Sequence, residues 1–135
     1  MKKTPLFIYL IIGLGMALAC QSHPHKTNLQ LNDGKKWKVN PEMKPQLRKA
    51  SDLLNDFVLQ QNTNYRQLAE ALQTQNNALI QSCTMEGKSH DELHKWLHPH
   101  LELVHQLAKV SDHKEASQLL SQLKRSFGTY HTYFE

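Results

Sequence analysis

An antiparallel up-down four-helix bundle with a kinked third helix is the fold this sequence predicts, and three observations predict it. Apolar residues recur in steps of three and four through four successive segments between positions 37 and 135, which places them on one face of each helix. Short polar connections join the segments, so consecutive helices run antiparallel. The third segment carries Pro99 inside its apolar spacing, which predicts a bend rather than a break. The chain has length for one modest core, and a core of that size folds without a metal ion.

The segments follow in order. Asn40-Pro41 opens the first helix, with Asn40 as cap and Pro45 able to move the true start a turn later. Leu47, Ala50, Leu54, Phe57 and Val58 form its apolar face, and it ends near residues 61–63. The second helix covers about 64 to 83, with Tyr65, Leu68, Leu72, Asn76, Leu79 and Cys83 along its seam. Asn76 interrupts that seam, as a buried polar pin, a pocket residue or a partly exposed position. The third helix covers about 90 to 110. Its predicted stripe is His90, His94, Leu97, Leu101, Val104 and Ala108, and His100 falls off it. Asp112 caps the fourth helix, with Glu115 three residues on, and Ala116, Leu119, Leu120, Leu123, Phe127 and Tyr130 form its face.

Ahead of the helices, Lys2 and Lys3 precede an uncharged apolar run from Leu6 to Leu18. The run falls short of the about 20 apolar residues of a membrane span and reads as a signal peptide. Ala17-Leu18-Ala19-Cys20 resembles the cleavage box of bacterial lipoproteins, with Ala17 where a larger aliphatic residue is usual. That resemblance implies a signal peptide over residues 1–19, a lipid on Cys20 that anchors the chain to a membrane, and an address in the cell envelope, outer membrane ahead of inner. Residues 20–36 then read as lipidated cysteine and flexible tether, and 37–135 as the bundle domain. Without Lys2 and Lys3 the chain has 14 Lys and Arg against 12 Asp and Glu. No basic patch with interleaved aromatics occurs, which excludes a nucleic-acid partner.

The chemistry concentrates in residues 83–100. With Cys20 acylated, Cys83 is left without an intramolecular disulfide partner in an oxidising compartment. It reads as a buried small hydrophobe, as a soft-metal ligand, or as one half of an intermolecular disulfide. The up-down topology gathers Cys83, Met85, His90 and His94 at one end of the bundle, beside Trp37 and Met43 from the chain's entry and Tyr130 and His131 from its exit. A thiol, a thioether and two imidazoles one helical turn apart make Cys83, Met85, His90 and His94 the expected ligands of copper or zinc. Glu86, His98 and His131 are possible further ligands, and Trp37, Met43 and Tyr130 line the pocket. The function predicted is metal handling or sensing by an envelope lipoprotein, without catalysis. The alternatives are a protein-interaction or scaffold lipoprotein with no bound metal, and a b-type cytochrome-like bundle holding haem between Met43 and His131. A Cys-His catalytic pair lacks a nucleophile elbow or a resolving cysteine.

The segment C-T-M-x-G-x-x-H-D-x-L-H over residues 83–94, with the lipoprotein signal and GKKWKVNPE at 34–42, is similar to a group of small, poorly characterised helical lipoproteins of Bacteroidetes-type bacteria. The resemblance brings no activity with it. It marks Trp37, Asn40, Glu42, Cys83, Met85, Gly87, His90, Asp91 and His94, which cluster at the same bundle end.

Overall fold

The computed structural model describes residues 28–135. Four helices follow a single 3-10 turn at Pro41–Met43: α1 Lys44–Leu59, α2 Tyr65–Ser82, α3 Gly87–Lys109 and α4 His113–Tyr133. Each helix packs along its neighbour in sequence, the α1–α4 seam being the least extensive of the four, in an up-down bundle. Among the described residues no helix is long and apolar enough to cross a membrane. The signal peptide expected over residues 1–19 and the expected lipidation site Cys20 lie outside the described residues.

Local chemistry accounts for the ends of the helices. The Asn64 side chain accepts the Gln67 N–H at the start of α2, and Asp112 accepts the Glu115 N–H at 2.7 Å at the start of α4, each satisfying a donor that a helix start leaves unpaired. Asn40 behaves differently from the cap its position predicts. It heads the 3-10 turn without capping it, and α1 begins a turn later, with Pro45 in its first turn. Its side chain reaches across the bundle end instead, donating to the Ser82 carbonyl at 2.8 Å and accepting the Thr84 N–H at 3.1 Å. Asn40 thereby clamps the chain on both sides of Cys83. Gly87, at φ +60°, lets α3 start three residues earlier than its polar composition predicts. The helix continues through Pro99, which leaves the Lys95 carbonyl without its intrahelical donor, as one element rather than two.

The rotation of α3 differs from the predicted stripe. Leu93, Trp96, Leu97, His100, Val104 and Leu107 are buried, whereas His90, His94, Leu101 and Ala108 are half-buried. Only Leu97 and Val104 belong to both sets. The physical reason is apolar area: Leu93, Trp96 and Leu107 together offer far more of it than His90, His94 and Ala108, and the helix turns to bury the larger face.

The core forms two clusters. One lies toward the 63/111 end and joins Leu54, Phe57, Leu72, Leu107 and Leu123. The other closes the end containing the Cys83 loop and joins Trp37, Met43, Leu93, Trp96, Tyr130 and Phe134, with Leu29 added from well before the first helix. Within residues 28–36, read from the sequence as tether, Leu29 alone is buried and the others are exposed, while hydrogen bonds fix the path of the segment. Asn32 and Lys35 exchange backbone hydrogen bonds of 2.9 Å around Asp33-Gly34, both at positive φ, the two-residue turn that an Asp-Gly pair favours. The Gln30 N–H donates to the Glu92 carboxylate, and the Trp37 indole N–H to the Gln30 carbonyl. Residues 37–39 then run parallel to the tail, with Trp37 N–H to the Tyr133 carbonyl, Glu135 N–H to the Trp37 carbonyl and Val39 N–H to the Glu135 carbonyl, at 2.8 to 2.9 Å. Entry and exit close the same end of the bundle together.

Candidate functional site

The topology brings the predicted residues to one bundle end, but it does not join them into a metal centre. Among the described residues no group of three or more His, Cys, Asp or Glu side chains is placed to hold a metal ion. The expectation of copper or zinc at Cys83, Met85, His90 and His94 is therefore corrected, with Glu86, His98 and His131 as further ligands. Three features explain it. Cys83 and Met85 are half-buried against the apolar cluster around Trp37 and Met43, so thiol and thioether serve as packing groups. His90, His94 and His98 follow one another along α3, and the first and last stand eight residues, about 12 Å of helix rise, apart. Both nitrogens of His94 and the Nε2 atoms of its neighbours are also engaged with each other, His94 Nε2 with His90 Nε2 at 3.0 Å and His94 Nδ1 with His98 Nε2 at 2.9 Å. Glu86 and His131 are exposed.

The predicted pocket lining is packed shut. Trp37, Met43 and Tyr130 are all buried, and Tyr130 stacks on Phe134 with ring centroids 5.3 Å apart. Burial pushes the Tyr130 phenol up to about 12, so it stays a neutral hydroxyl. Met43 is wholly enclosed while His131 is exposed, which gives them no common face toward a haem.

The histidine that the sequence sets aside is the one the fold encloses. His100 has no exposed surface. Its Nδ1 meets Ser126 Oγ at 3.0 Å, its ring stacks on Trp96, and its Nε2 has no partner. Burial lowers its pKa to about 4, so it is a neutral core residue near neutral pH. His94 is also lowered, first by burial and then by the neighbouring His90 and His98 imidazoles. Glu92 is buried as well. Its burial opposes ionisation, but the Lys95 ammonium at 2.6 Å and the Gln30 N–H outweigh that and hold the carboxyl below the ordinary carboxylate range. Glu92 was legible only as first-turn charge, because its partner lies 62 residues away in the supposed tether.

Among the described residues, recesses lie along two of the helix seams. A cleft of about 480 Å³ lies between α1 and α4. The buried Leu47, Tyr130 and Phe134 form its apolar and aromatic floor, and Lys44, Arg48 and Asp52 follow at intervals of four residues along its α1 rim, across from His131 of α4 and Glu135 of the tail. The second is a groove of about 420 Å³ between α2 and α3, lined by Asn76, Ile80, His98 and Leu101 among others. The opposite bundle end is less polar than its turns suggest, with Val58 and Leu59 exposed, the latter at 79 %.

No family model matches the chain, and no characterised protein or solved structure shows significant similarity to it.

Proposed function

We propose that this protein is a membrane-tethered protein-interaction module of the cell envelope, holding a helical segment of a partner in the α1–α4 cleft, with no resident metal. The observation that carries this reading is the open seam between the first and last helices, a cleft of about 480 Å³ whose floor is the buried Leu47, Tyr130 and Phe134 and whose rim is charged. Such a surface suits the apolar stripe of an amphipathic helix. The α1 rim supplies two positive charges and then one negative at spacings of four, so the matching helix carries acidic, acidic and basic residues at the same period. The Ala17-Leu18-Ala19-Cys20 box supports anchoring by a lipid on Cys20. The similarity of residues 34–42 and 83–94 to small helical lipoproteins supports the same address.

The test is site-specific photo-crosslinking in cells, read in the membrane fraction, from Ser51 inside the cleft and from Thr74 on the exposed side of α2. One discrete adduct with a second envelope protein is expected from Ser51 and none from Thr74. Arg48→Glu is expected to weaken it by about fivefold or more. Equal labelling from both positions, or from neither, contradicts the reading.

A further inference from the structure

The α2–α3 groove takes no part in the cleft or in the closed bundle end. Its apolar lining comes from Ile80, Leu101, Val104 and Ala108, and Ile80 is 46 % exposed there. Polar groups line it as well: Gln73, Asn76 and Asn77 from α2, His98, Glu102 and His105 from α3. Asn76 is the unusual member. It occupies a seam position between Leu72 and Leu79, is only 2 % exposed, and its Nδ2 has no acceptor. A buried donor without an acceptor is destabilising, and native proteins rarely leave one unpaired. The flanking leucines show that an apolar side chain suits this seam, so packing does not account for the amide.

We propose that the α2–α3 groove is a binding site for a small, uncharged carbonyl compound with an aliphatic arm, whose oxygen accepts the Asn76 Nδ2–H while the arm lies on Ile80 and Leu101. An unpaired donor calls for an acceptor, which argues against a cation. The Glu102 carboxylate at the rim argues against an anion; hydrogen bonds from Gln106 first, and then the nearby His105, keep it charged. A neutral carbonyl satisfies both constraints.

The histidine string ends in this same groove, since His98 lines it and commits Nε2 to His94. A neutral imidazole carries one N–H, so the string has one direction at a time. A ligand oxygen that accepts from His98 Nδ1 selects the direction in which His90 donates to His94 and His94 donates to His98. Binding is thereby read as a tautomer shift along α3 as well as at Asn76.

The experiment is NMR of the full chain in lipid nanodiscs, with ¹⁵N-labelled Asn and His, titrated with N-acetyl-L-leucine N-methylamide. The Asn76 side-chain amide protons are expected to move saturably, together with the ring nitrogens of His98. Asn76→Leu is expected to lower the affinity by about tenfold or more while raising the melting temperature, because it removes the unpaired donor. Ile80→Asp, at the open edge, is expected to weaken binding without unfolding the bundle. The proposal is overturned if the native chain gives no saturable shift, if the shifts fall in the α1–α4 cleft instead, or if Asn76→Leu binds within about twofold of native. Should Asn76→Leu fail to fold, unchanged affinity in Ile80→Asp overturns it equally. Because the probe occupies a different recess, failure here leaves the Ser51 crosslinking result intact.

Discussion

Replacing Trp37 by alanine is expected to destabilise the fold by about 3–5 kcal/mol, the usual cost of removing a large buried aromatic. The effect has three sources. The indole is buried among Met43, Leu93, Tyr130 and Phe134 in the cluster that closes the bundle end. Its N–H holds the Gln30 carbonyl at 2.6 Å, which ties residues 28–36 to the helices. Its backbone pairs with Tyr133 and Glu135 of the tail, and without the ring that short ladder loses its packing. Urea unfolding measures the stability loss. The same variant is expected to raise the rate of thiol labelling at Cys83, half-buried against this cluster, because the local barrier to opening falls. Loss of less than about 1 kcal/mol would mean that the extension is not part of the cooperative unit.

Acidification from pH 7 to pH 4 is expected to cost the fold about 3 kcal/mol through His100 alone, with roughly 2 kcal/mol already gone at pH 5. The pKa of this buried imidazole falls from 6.5 to about 4 on folding. Between those values the unfolded chain binds the proton and the folded chain does not. The stabilisation is therefore complete above pH 6.5, declines as the pH falls, and is exhausted below about 4. His94, whose pKa is also lowered, works in the same direction, and Glu92 extends the loss below the ordinary carboxylate range. His100→Leu fills the same space without a titrating group. Urea denaturation at a series of pH values is expected to show a markedly shallower slope between pH 6.5 and 4 for this variant. An unchanged slope would assign the acid sensitivity elsewhere.

The helices themselves were legible because their apolar spacing is local, and so was the convergence of both chain ends on the Cys83 loop, which follows from connectivity. The rotation of α3 was not, since two stripes run along it. The stripe through His90 and His94 has regular spacing, and the one through Leu93, Trp96 and Leu107 has the larger apolar area; the area prevails. Weighing side-chain size along with spacing finds His100 in the core. The role of residues 28–36 depends on contacts such as Gln30 with Glu92, 62 positions apart, and no local pattern encodes them. Reading Cys83, Met85 and the imidazoles as ligands rested on residue type, on the one-turn spacing of His90 and His94, and on a topology that brings them to one bundle end. Type sets which atoms can bind a metal, but convergence depends on geometry, and three histidines on consecutive turns of one helix spread apart along its axis.

Packing of Trp37, Met43, Tyr130 and Phe134, rather than a coordinated ion, holds the chemically rich bundle end together. Thermal unfolding of the protein purified from cells, with and without a strong chelator, tests it most directly. Coincident unfolding curves are expected at neutral pH, because apolar contact within the cluster and backbone pairing of entry with tail hold this end. A melting temperature lowered by the chelator and restored by added zinc or copper would contradict it, since a metal bound only to the folded state stabilises that state.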